Sequence, residues 1–179
     1  MLIVFTGNGK GKTTAALGQA VRAIGRGKRV LVVQFIKGPW KSGEDLVEIS
    51  ASGGKNKETD NNNFLLKKMG LGFVGILGDK LPKEDHIKAA KEALSFIKSE
   101  LPKWDMVICD EINVAYSLGL IGADEALDLM RDIPFEKLVI FTGRGAPNEF
   151  IEAADLVTEM REIKHPFNNG KIAELGIEF

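Results

Sequence analysis

Lys12, Thr13 and the glycines before them are the residues of this sequence best placed to do chemistry. In Thr6-Gly7-Asn8-Gly9-Lys10-Gly11-Lys12-Thr13-Thr14, closely spaced glycines let successive backbone N–H groups turn toward an anion. A helix beginning at Lys12 and Thr13 adds the partial positive charge of its N-terminus. Lys12 then reaches the terminal phosphates of a nucleotide, and the Thr13 hydroxyl ligates Mg²⁺. The segment reads as a phosphate-binding P-loop, the alternative being a glycine-rich turn that binds nothing. Its spacing departs from the usual G-x-x-x-x-G-K-[ST]. Thr6 stands where the first glycine belongs, and Gly7 is one step too close to Gly11. Such a loop holds a triphosphate differently from an ordinary ATPase.

A second chemical pair, Asp110-Glu111, ends the apolar run Met106-Val107-Ile108-Cys109. Carboxylates at the end of a buried strand are costly unless a cation meets them, and P-loop proteins place a Mg²⁺-associated acid there. The alternative is that Asp110 caps a following helix. Arg144, within Thr142-Gly143-Arg144-Gly145, is suited to clamping phosphate or carboxylate, or is a surface arginine in a tight turn. Arg161, Lys164 and His165 add positive charge near the end of the chain, and as an isolated cluster they read as a solvated edge. The two histidines and the single cysteine, Cys109, are too scattered for a zinc site. Cys109 reads as a buried strand residue. No Ser-His-Asp or Cys-His arrangement is legible.

These residues need elements to hold them. Residues 2–6 form an apolar run leading into the loop, and Ala15, Ala16, Ala20, Val21 and Ile24 mark an amphipathic helix that Gly25 and Gly27 end. Residues 29–36 are almost continuously apolar, as in a parallel strand covered on both faces. Residues 40–63 are polar and turn-rich and predict a long surface loop with at most one helical turn around 44–49. Residues 64–69 predict a short strand, and the four glycines of 70–78 fit no regular element. Ile87, Ala90, Leu94, Ile97 and Leu101 recur at helical spacing, with Glu84 and Asp85 in the first turn. A helix over 123–131, a strand over 137–141, a short helix over 148–154 and a strand over 156–163 follow. The tail ends in an apolar alternation of Ile177 and Phe179.

Alternating strand and helix patterns predict an α/β fold. The expected form is a doubly wound, mostly parallel sheet with helices on both faces, built as one domain over 1–179. Ligands in such sheets bind beyond the carboxyl ends of the strands. The loop at 7–14, Asp110-Glu111 and residues 142–146 all follow apolar strands, which puts them along one edge. Length suits one substantial core: 179 residues, 44% hydrophobic and 27% charged. A net charge of −1 gives no general attraction to nucleic acid or anionic membrane. One cysteine suits a reducing compartment. No stretch has the length of a membrane span. The sequence opens on its first strand without the features of a signal peptide, so a cytoplasmic location is expected.

Taken jointly, residues 6–16, Val33-Gln34-Phe35-Ile36-Lys37-Gly38, Asp110-Glu111-Ile112-Asn113, Thr142-Gly143-Arg144-Gly145 and Lys164-His165 resemble the P-loop corrinoid adenosyltransferases. The resemblance runs from the first strand to Gly176-Ile177-Glu178-Phe179. It implies the RecA-like fold of P-loop NTPases. It also implies transfer of the 5′-deoxyadenosyl group of ATP to a Co(I) corrinoid, with release of triphosphate, in coenzyme B12 biosynthesis or salvage. In that family ATP lies reversed along the loop, which agrees with the short glycine spacing. Gly7, Asn8, Gly9, Lys10, Gly11, Lys12, Thr13 and Thr14 match the triphosphate cradle. Thr13, Asp110 and Glu111 match the Mg²⁺ region, and Arg144, Lys164 and His165 match nucleotide-side loops. Catalysis is expected from Lys12 and Thr13, with Phe73 on the corrinoid side unless it is an ordinary core aromatic. A homodimer and a flavoprotein reductant are further implications.

The sequence departs from that family twice. Many relatives carry Gly-Phe-Thr-Trp in the corrinoid-facing loop, whereas this chain reads Gly72-Phe73-Val74-Gly75 and lacks the tryptophan. Relatives often have an N-terminal extension that covers a partner subunit's active site, and this sequence begins at its first strand. A P-loop phosphotransferase or ATPase, and a binding switch in which residues 40–63 order on ATP, are the competing readings.

Overall fold

The computed structural model describes residues 1–38, 40–49, 63–76, 78–172, 174 and 176–177. The long loop expected over 40–63 therefore lies largely outside the described residues, as does Phe179. Six strands, β1 (Leu2–Thr6), β2 (Val30–Gln34), β3 (Phe64–Lys68), β4 (Met106–Asp110), β5 (Leu138–Thr142) and β6 (Leu156–Glu159), form one sheet in the order β3-β2-β4-β5-β1-β6. Every pairing is parallel. The sheet is thus wholly parallel where a mostly parallel one was expected.

The helices follow from the sequence pattern. Helix α1 (Lys12–Ile24) buries Ala16, Ala20 and Ile24, while Val21 lies off the stripe and is exposed. Helix α2 (Lys83–Glu100) buries Ala90, Leu94 and Ile97 on the expected face, with His86, Ala89 and Ala93 beside them. Helix α4 (Ala123–Arg131) and α5 (Asn148–Ala153) stand where the spacing predicts them. Helix α3 (Ile112–Ser117), directly after Asp110-Glu111, enters the sequence reading only through the alternative in which Asp110 caps a following helix. Its six residues are too short to display a period. The strand expected over 156–163 stops at Glu159, and residues 161–163 continue as an exposed irregular segment.

Alternation along the strands sorts the core into two layers. Leu31, Val33, Val107, Cys109, Val139 and Phe141 face α2, α3, α4 and α5, and pack with Leu94, Ile97, Ile112, Leu129 and Phe150. Ile3, Val30, Val32, Met106, Ile108 and Ile140 face α1 and pack with Ala16, Ala20 and Ile24. Helices therefore cover both faces, which is why β2, β4 and β5 are apolar on both. The same alternation decides where the polar strand ends point. Gln34, Asp110 and Thr142 each continue the α1-facing row of their strand. They emerge beneath the start of α1, on the three adjacent strands β2, β4 and β5.

Candidate active site

The loop between β1 and α1 closes against the end of β6. Gly9 N–H donates to the Met160 carbonyl at 2.7 Å, and Met160 N–H donates to the Thr6 carbonyl at 2.8 Å. A Cβ at Gly9 would stand 2.7 Å from the Arg161 carbonyl carbon and 2.8 Å from the Met160 oxygen. Only a bare backbone fits this approach. Lys12, 7% exposed, turns back across the loop and donates from Nζ to the Gly7 and Gly9 carbonyls, both at 2.8 Å. Burial lowers its pKa, and so does Arg144, while Glu111 and Asp110 pull it upward.

Beneath the first turn of α1, Asp110 is fully buried and fully bonded. Thr13 Oγ1 donates to its Oδ1 at 2.8 Å, and Thr142 Oγ1 donates to the same oxygen at 2.7 Å. Gln34 Nε2, in register with Asp110, donates to Oδ2 at 3.0 Å. A hydroxyl that gives its proton to Asp110 keeps its lone pairs for a cation. Asp110 does not cap the helix after it. The residue at that position is Glu111, held at φ 63° with no side-chain cap bond. Its amide donates to Thr142 Oγ1 at 2.9 Å, and this anchors a conformation that non-glycine residues rarely adopt. Burial, and then the neighbouring Asp110, push the Glu111 carboxyl up to about 7, against the pull of Lys12 and Arg144.

These elements border a recess of about 620 Å³ reached by many charged side chains. Residues 9–14, Lys37, Glu44, Glu111, Arg144 and His165 reach it, with Gly176 and Ile177 of the tail at its rim. Asp110 stays behind Thr13, and Gly7 and Asn8 stand outside the lining. Lys164 is exposed and borders a separate shallow recess with Pro166, Asn169 and Lys171. Of the Lys164-His165 pair, the structure brings only His165 to the loop. The hard oxygen donors of Thr13, Asp110 and Glu111 suit Mg²⁺, which takes few protein ligands and completes its shell with phosphate and water. Among the described residues no group of three or more His, Cys, Asp or Glu side chains is placed to hold a metal ion.

Glu111 and Lys37 also border a second, mainly apolar recess of about 820 Å³, lined otherwise by Ile36, Gly38, Trp40, Lys41, Ser42, Gly72, Phe73 and Val114. Phe73 is 45% exposed there and is not a core residue. Sequence reasoning gave no role to Gln34, Thr142, Lys37, Glu44 or Trp40. Gln34 and Thr142 carry the same signal as Asp110, a polar residue ending an apolar strand. Lys37 pairs with Glu44 of the 3₁₀ turn Gly43–Leu46, a partnership that no spacing rule reveals.

The family model of the ATP:corrinoid adenosyltransferases BtuR/CobO/CobP matches residues 1–179. A corrinoid adenosyltransferase of Escherichia coli K12 is 38% identical over 185 residues, covering 100% of this chain and 85% of that protein. The corrinoid adenosyltransferase CobA of Salmonella typhimurium is 37% identical with the same coverage. Among solved structures, the flagellar accessory protein FlaH of Methanocaldococcus jannaschii shares the fold, with a TM-score of 0.52 at 15% identity. That likeness covers 88% of this chain and 69% of the other. A parallel sheet with a phosphate loop at its edge is common to many nucleotide-binding proteins, but a match along the whole sequence is specific, and the chain belongs to the ATP:corrinoid adenosyltransferase family.

Proposed function

We propose that the protein transfers the 5′-deoxyadenosyl group of ATP to the Co(I) centre of a corrinoid. Cobalt supplies the electron pair. The Co–C5′ bond forms as the C5′–O bond breaks, triphosphate departs with the bonding pair, and cobalt ends formally as Co(III). No protein nucleophile is required, so the chain's task is to align two substrates and hold the leaving charge. The observation that carries this reading is the junction of two unlike recesses. The charge-lined one, at the phosphate loop, and the apolar one share Lys37 and Glu111 at their border.

In this reading the amides of residues 10–14 and the Lys12 ammonium stabilise the triphosphate, and Arg144 and His165 add positive charge from the same recess. Lys12 leaves the Gly7 and Gly9 carbonyls for phosphate oxygens, a stronger charge-assisted partnership. Thr13, Glu111 and Asp110 (the last through Thr13) would hold Mg²⁺, which neutralises phosphate charge when bound. Phe73 faces the corrinoid. The family resemblance extends the proposal to a homodimer, a flavoprotein source of electrons and a cytoplasmic setting. Among the described residues no helix is long and apolar enough to cross a membrane.

The test is anaerobic incubation of the protein with ATP, Mg²⁺ and chemically reduced cob(I)alamin. A light-sensitive alkylcorrinoid formed only when ATP is present is the expected product. ADP released at one rate with or without corrinoid would overturn the proposal.

A further inference from the structure

Trp40 is 62% exposed, yet it is held in place by backbone. Its ring lies on two glycines from different loops. A Cβ at Gly38 would be 2.9 Å from Trp40 Cζ3, and one at Gly72 would be 3.0 Å from the same atom. Gly72 has φ +114°, where side chains are rarely accommodated, so the indole lies against bare main chain. The Phe73 ring follows directly, its centroid 6.0 Å from that of Trp40 at an interplanar angle of 32°.

The two rings border two recesses. One is the 820 Å³ recess that meets the nucleotide recess at Lys37 and Glu111. The other is a recess of about 200 Å³ bordered by Leu71, Ile76, Asp79 and Lys80. The stretch 72–75 itself contributes only one ring, and a Cβ at Gly75 would meet nothing within 4 Å. Aromatic surface this exposed, positioned by close backbone contact and facing an apolar recess, is suited to a large flat ligand.

We propose that Trp40 is a specificity-determining residue of the corrinoid recess, supplying from the loop after β2 the second ring of the wall begun by Phe73. The macrocycle packs against both rings, with its cobalt directed to the Glu111 side, where the nucleotide recess opens. This rests on the adenosyltransferase reading above.

The test compares wild type, Trp40→Ala and Trp40→Phe with chemically reduced cob(I)alamin and ATP. Trp40→Ala is expected to raise KM for cob(I)alamin about tenfold, the scale of a lost aromatic contact. The dissociation constant for ATP should stay within about twofold of wild type, a margin of under 0.5 kcal/mol. Trp40→Phe, which keeps a ring over Gly72, should recover most of the loss. An unchanged cob(I)alamin KM in Trp40→Ala overturns the inference alone, and so does an equal loss of ATP affinity. A wild-type protein that forms no alkylcorrinoid overturns the underlying reading, and the inference with it.

Discussion

Lys12 and Glu111 carry opposite charges at the border of the nucleotide recess, and burial works against both. In the proposed reaction each is a group whose partner arrives with the substrate. For Lys12 the partner is triphosphate, so Lys12→Ala should lower kcat about 100- to 1,000-fold, as removal of one preorganised donor does elsewhere. Near-normal turnover in that variant would mean the cradle is misassigned. Glu111 makes a prediction about stability. Its carboxyl titrates near 7 in the folded chain against 4.5 as a free side chain. Between these values the folded state holds the extra proton, so stability falls as pH rises through this window and stays lower above it. Without nucleotide or metal, Glu111→Gln should therefore be more stable than wild type at pH 8, by about 1–2 kcal/mol after allowing for the lost attraction to Lys12. The difference should vanish near pH 4. Urea unfolding at both pH values checks this, and equal stability at pH 8 would contradict it.

At the scale of elements, the site is a consequence of strand alternation. Gln34, Asp110 and Thr142 meet under Thr13 because each is the last α1-facing position of its strand, and the strands are neighbours in register. The loop is positioned from its other side by β6, through Gly9. Gly9→Ala should force the loop away from the backbone of residues 160 and 161, costing about 1–3 kcal/mol of stability, a typical overpacking penalty. It should also weaken ATP binding at least tenfold (about 1.4 kcal/mol). Calorimetric titration with ATP measures the second effect, and wild-type affinity would refute this account of the loop. The strands and longer helices were legible because periodicity over many residues is a strong signal. Helix α3 was not, since it follows from the left-handed turn at Glu111 and not from a repeating pattern. Phe73 was ambiguous for a related reason: the stretch around it has no regular element, and only packing shows which of its apolar residues face out.

For the whole molecule, the order of the strands puts a charge-lined recess and an apolar one side by side. The phosphate loop lies at the end of β1, and the apolar recess lies beyond β2 and β3, with β4 and its Asp110-Glu111 end between them. The sequence announces the phosphate half of this arrangement through local motifs. The apolar half joins residues far apart in the chain, Trp40 with Phe73 and Ile36 with Val114, and such pairings become visible only in the fold. The central claim concerns which bond of ATP breaks at that border. Replacing ATP by its β,γ-methylene analogue in the anaerobic cob(I)alamin reaction tests it directly, because the analogue blocks β,γ cleavage and leaves the C5′–O bond intact. Adenosyl transfer predicts that the alkylcorrinoid still forms, at a rate within about tenfold of that with ATP, or 1.4 kcal/mol in barrier. An inert analogue, with ATP itself yielding ADP and phosphate, would contradict the account.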